Sequence, residues 1–149
     1  MRIRILFALA LAAALVAVPV ATSATRTTHA VQATLKMARI GPNGPNGSTF
    51  AGELVGKPTG RAAVVIRDTD SGSTSTGRAV VYARAGTIVV STKNEIQAQP
   101  DGSVRFPGTF KVLDGTRRYK DATGRGTFDG VLRANGTVVT LKLKGKARY

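Results

Sequence analysis

The chain has 149 residues, with 22 lysines and arginines against 8 acids and a formal net charge of +14. It contains no cysteine, which excludes disulfides, zinc–thiolate sites, thiol nucleophiles and lipid attachment through sulfur. The cationic excess favours anionic partners such as cell-wall polymers, acidic lipids, polysaccharides or nucleic acid, and the plainer alternative is a soluble, self-repelling surface.

Residues 1–24 read MRIRILFALALAAALVAVPVATSA. Arg2 and Arg4 make a positive start, Ile5 to Val18 is an apolar run shorter than the ~20 residues a membrane helix needs, and Thr22-Ser23-Ala24 offers small residues to a peptidase. This is the layout of a cleaved secretory signal, with cleavage after Ala24, or alternatively after Ala30, and it implies a secreted or extracytoplasmic protein with no transmembrane segment after cleavage. An uncleaved anchor is the competing reading. The two arginines are not adjacent, which favours the general export route over the twin-arginine one. Residues 25–30 are expected to form a flexible join, with the single histidine, His29, in it. A lone imidazole beside a terminus, with nothing to fix its tautomer, makes a poor general base. Residues 31–149 are expected to form one domain, roughly 120 residues being enough for one core.

That domain reads as β throughout. Val31, Ala33, Leu35 and Met37 alternate with Gln32, Thr34, Lys36 and Ala38, the period of a half-buried strand. Gly41 to Ser48 breaks the pattern as a surface loop, and Phe50, Gly52 and Leu54 resume it. After a turn at Lys57 to Gly60, Ala62, Val64 and Ile66 continue it, and Asp68 to Thr76 reads as a polar loop. Asp68 and Asp70 hint faintly at calcium, but the further ligands of a helix–loop–helix site are missing. Two apolar runs follow around Arg84-Ala85-Gly86, with Val80, Tyr82, Ile88 and Val90 expected inward and Val81 and Val89 outward or covered by a partner chain. Asn94 to Gln99 is expected to be a further strand, ended by a turn at Pro100-Asp101-Gly102. Pro107 lies inside the next strand, Val104 to Val112, and since proline cannot donate to a ladder an edge or a bulge is expected there.

The stretch from Arg105 to Tyr149 organises the rest. Gly126, Phe128, Gly130 and Leu132 share one face, Asn135-Gly136 is a strong hairpin signal, and Val139, Leu141 and Leu143 return beyond it. Thr49-Phe50-Ala51-Gly52-Glu53-Leu54 echoes Thr127-Phe128-Asp129-Gly130-Val131-Leu132. Glycine within a strand permits the sharp coiling that barrel closure needs. With about eight short strands and turns every 8–12 residues, the pattern predicts an all-β fold, a small antiparallel β-barrel following the signal.

The run from Gly115 to Gly130, GTRRYKDATGRGTFDG, resembles a segment of the allene oxide cyclase-like and dirigent-like barrels, most closely their bacterial secreted members. The resemblance is sharp over residues 105–149. It implies an eight-stranded antiparallel barrel with an apolar cavity, oligomeric in the plant enzymes, and it transfers no catalytic residue to a position of this chain.

No catalytic, cofactor-binding or metal-binding constellation emerges otherwise. Serine–histidine–aspartate chemistry lacks a placed histidine, and no spacing brings two carboxylates together. Asn46 and Asn135 fit the N-glycosylation pattern but read as plain turns. The site residues that stand out are Lys142, Lys144, Lys146 and Arg148, two apart on one face of the last strand. They are expected either to bind an anionic surface or to protect an edge strand from aggregation. Stacking aromatics are scarce, which argues against sequence-specific nucleic-acid reading. The sequence therefore predicts a non-catalytic exported barrel that binds a small apolar ligand or an anionic cell-envelope polymer. The alternatives are a cyclase- or dirigent-type enzyme and a purely structural protein, and homo-oligomers stay open.

Overall fold

A computed structural model describes residues 26–149; the expected signal at residues 1–24 lies outside them. The strands are β1 (Thr28–Pro42), β2 (Gly47–Lys57), β3 (Gly60–Ser71), β4 (Thr74–Ala83), β5 (Gly86–Glu95), the two-residue β6 (Gln97–Ala98), β7 (Val104–Gly115), β8 (Thr123–Leu132) and β9 (Val138–Arg148). Strands β1 to β5 pair antiparallel in sequence order, as do β6 to β9, while β9 returns to β1 and a β5–β7 ladder closes the circle. The result is the expected barrel of eight antiparallel strands, with β6 as a short extension beside β7. Among the described residues no helix is long and apolar enough to cross a membrane.

Period-two alternation fills the interior. Ala33, Leu35 and Met37 of β1, Ala62, Val64 and Ile66 of β3, and Val139 and Leu141 of β9 are all buried. Each large aliphatic side chain taken from water contributes about 1.5–3 kcal/mol. The β7–β8 ladder adds aromatics opposite glycines, Phe106 across from Gly130, Phe128 from Gly108 and Phe110 from Gly126. A ring in a narrow barrel needs the space its cross-strand neighbour would fill, so aromatic and glycine alternate between the two strands.

The closed end of the barrel is plugged by the turn between β7 and β8. A 3₁₀ turn at Arg117–Tyr119 tucks Tyr119 and Ala122 under Val112. Tyr149, the last residue, stacks on His29 with ring centroids 4.3 Å apart and meets Tyr119 edge-on at 5.0 Å. The expected join at residues 25–30 is therefore shorter. Thr28, His29 and Ala30 already belong to β1, because β9 runs on to Arg148 and offers them ladder partners.

Other expectations are also corrected. Asp68 to Thr76 is a strand hairpin with a turn at Gly72-Ser73 rather than a loop. On β4 the phase is the opposite of that expected: Ala79 and Val81 are buried, Tyr82 is half exposed, and Val80 lies outside beside Val65 and Val89. An uninterrupted apolar run carries no phase of its own, and the ladder to β3 sets it, with Ala79 opposite Ile66 and Val81 opposite Val64. The strand expected from Asn94 to Gln99 is split, since β5 ends at Glu95 and only Gln97–Ala98 pairs again. Pro107 explains the split. Gly108 pairs with Asn94 and Arg105 with Gln97, so the residue without an N–H falls in the unpaired stretch of β7 between these two ladders.

Candidate functional site

The barrel is not one continuous cavity. Leu35, Val64 and Ala79 are packed into its waist at 3%, 3% and 5% exposure. This leaves a hollow of about 70 Å³ on the plugged side and one of about 110 Å³ on the other. The plugged hollow is almost wholly apolar. The second opens at the end that carries the β1–β2, β3–β4 and β8–β9 turns, and here several polar side chains line the interior.

Its walls are Met37, Phe50, Ile66, Phe106, Phe128 and Leu141, and its polar side is made by Ser48, Asp68, Ser75, Thr92 and Asn94. These five lie on neighbouring strands, since β2, β3, β4 and β5 are consecutive in the sheet. Asp68 continues the inward series Ala62, Val64, Ile66 by one more step of two. Gly77 stands between Asp68 on β3 and Thr92 on β5. A side chain there would begin 2.7 Å from Thr92 Oγ1 and 3.3 Å from Asp68 Cβ, so the glycine keeps the rung between carboxyl and hydroxyl clear.

Among the described residues Asp68 is the one acid that is not exposed. The Ser48 backbone N–H donates to its Oδ1 at 2.9 Å, and among the described residues no donor meets Oδ2. The Asn43 amide donates to the Asp68 carbonyl at 2.8 Å and ties the β1–β2 loop to the rim. Partial burial pushes the Asp68 carboxyl above its ordinary range, and the neighbouring Asp70 charge adds to the rise, while the Ser48 N–H and Arg39 oppose it. Ser75, 3% exposed, spends its hydroxyl on the Thr69 carbonyl at 3.5 Å. The site can therefore accept hydrogen bonds or a positive charge at the head of an apolar chamber. No cluster of three metal-ligating side chains occurs among the described residues, so the faint calcium signal at Asp68 and Asp70 gains no further ligand.

The four cations singled out by the sequence, Lys142, Lys144, Lys146 and Arg148, all point outward from β9 and are exposed. They cannot serve as edge protection, because β9 lies between β1 and β8 in a closed sheet and has no free edge. Lys142 faces Asp129, which is itself paired with Arg105, whereas Lys146 faces Arg125.

Sequence reasoning missed Asp68 as an interior group because it ended β3 where the side chains turn polar. The unbroken period of two through Ala62, Val64, Ile66 and Asp68 was the available signal. Comparison with protein-family models, curated proteins and solved structures returns no match.

Proposed function

We propose that this protein is a non-catalytic binder of a small, mostly apolar molecule, held in the chamber beneath Asp68. The observation that carries the reading is the placement of the single acidic side chain that is not exposed, in a strongly basic protein, on the polar side of a hollow whose other walls are apolar. A chamber of about 110 Å³ open at one end accommodates one ring or a short alkyl chain; engineered dry cavities of about 150 Å³ hold benzene. Phe50, Phe106 and Phe128 offer edges and faces to such a guest. Asp68 then selects a head group that donates a hydrogen bond or carries positive charge. The packed waist limits how deep the guest reaches.

An exported location follows from the leader-like residues 1–24 and belongs to the same proposal. The resemblance of residues 115–130 to allene oxide cyclase-like and dirigent-like barrels is compatible with it. The second reading, chemistry inside the barrel, has one observation in its favour, the raised carboxyl of Asp68 in a cleft. No second titratable side chain shares the chamber's polar side except Asp70 at its rim, and binding accounts for the arrangement without a reaction.

Calorimetric titration with benzylamine, benzyl alcohol and benzoate tests the reading. Amine should bind better than alcohol, and benzoate least. Asp68→Asn should remove the preference for amine over alcohol. If benzoate binds best, or Asp68→Asn leaves the order unchanged, Asp68 is not the head-group partner.

A further inference from the structure

The closed sheet brings side chains from distant segments into register on the outer wall. Following the ladders from β3 to β9, Arg67 lies opposite Arg78, Arg78 opposite Ser91, Ser91 opposite Lys111, Lys111 opposite Arg125 and Arg125 opposite Lys146. Five cations and one serine thus form a single cross-strand row over six adjacent strands. At ~4.8 Å per strand the row is about 24 Å long. All five cations are exposed. Among the described residues the ion pairs are Arg26–Asp121, Arg61–Glu53 and Arg105–Asp129, and none involves the row.

Like charges directly opposite each other destabilise a sheet. A fold that places Lys111, Arg125 and Lys146 side by side, with no acid between them, carries a repulsion that an external polyanion would relieve. The next row is chemically different. Two residues along each strand the order is Thr69, Thr76, Lys93, Thr109, Thr127 and Lys144, four hydroxyls and two lysines, all exposed. A row of fixed cations therefore runs beside a row of hydroxyls, on a wall whose positions the ladders hold rigidly. Neither row contains an aromatic side chain on which a base could stack.

We propose that these two rows bind a linear acidic glycan carrying a carboxylate on successive sugars, laid across the strands. The spacing between strands is of the same order as the advance of one pyranose along an extended glycan, so a chain laid across the wall can bring carboxylates to the cation row and sugar hydroxyls to the threonines. The backbone of the wall does not need to move. The site is independent of the chamber beneath Asp68, which opens at the end of the barrel.

Fluorescence anisotropy of the full chain with a labelled oligogalacturonate long enough to cross the six strands tests this. Inorganic polyphosphate and single-stranded DNA of matched charge are the comparators. Arg78→Gln with Lys111→Gln and Arg125→Gln should weaken glycan binding at least about tenfold, whereas Lys36→Gln with Lys120→Gln and Arg133→Gln, an equal change in charge off the rows, should weaken it less than about threefold. Thr109→Val with Thr127→Val suits strand positions, and should weaken the glycan but leave polyphosphate unchanged. Equal losses in the two charge triples would mean net charge alone is read and would overturn the proposal. So would tighter binding of DNA than of the glycan, a threonine variant that treats glycan and polyphosphate alike, or no glycan binding at low salt.

Discussion

Phe110 on β7 lies directly across from Gly126 on β8, and its ring fills the space in which a side chain at 126 would begin. A β-carbon on Gly126 would stand 2.6 Å from both Cε1 and Cζ of the ring and closer still to the Lys144 carbonyl oxygen of β9, so a side chain there would press on both the ring and the neighbouring backbone. Gly145 on β9, opposite Gly126, makes room for the same ring, since a β-carbon there would come within 3.0 Å of it. The aromatic–glycine exchange between β7 and β8 is thus what lets a narrow barrel carry three inward phenylalanines on two strands.

Gly126→Ala should consequently destabilise the fold by about 1–3 kcal/mol through overpacking. Urea denaturation measures it, and Phe110→Leu in the same chain should recover part of the loss, since residues in contact couple. Additive losses in the double variant would show that the ring and the glycine do not share the space.

Asp68 gives a pH prediction. Its carboxyl titrates above the ordinary carboxylate range in the folded chain, chiefly through burial. The folded state therefore holds this proton more tightly than the unfolded state does. The charged form costs stability at neutral pH, and the cost fades as pH falls through the folded value and vanishes below the unfolded one. Asp68→Asn keeps an oxygen for the Ser48 N–H and should melt higher than the wild type at pH 7, with the two curves converging in acid. A gap that widens as pH falls would contradict the sign.

The cation row makes a prediction about stability as well as binding. Lys111 has Arg125 directly opposite and no acid beside it in the row. Lys111→Glu should raise stability at low ionic strength by about 0.2–1 kcal/mol by turning one cross-strand repulsion into an attraction. The gain should fade in 1 M salt, where the screening length is about 3 Å. Thermal melts at both salt levels decide it, and a salt-independent change would locate the effect in packing.

How far the sequence reaches depends on the range of the interaction. The inward series on β1, β8 and β9 is local, so Leu35, Phe128 and Leu141 declare their faces through alternation alone, whereas the aromatic–glycine pairs between β7 and β8 emerge only with the register. Val80 and Val81 do not, because adjacent valines suit either phase and only pairing with Val64 and Val65 decides. Asp68 was hidden by its polarity, which resembles a loop when the strand behind it is not carried forward. Lys144 and Lys146 could be placed on one face from their spacing, but not beside Thr127 and Arg125, because register across strands is written in no single segment.

Methyl NMR of the protein titrated with benzylamine probes the ligand chamber beneath Asp68. Met37, Ile66 and Leu141 line the chamber, whereas Leu54 and Val81 line the plugged hollow beyond the waist. Benzylamine should give saturable shifts of the first group with the second unmoved, and these shifts should be lost or markedly weakened in Asp68→Asn. Shifts confined to Leu54 and Val81, or no shift at either end, would contradict it.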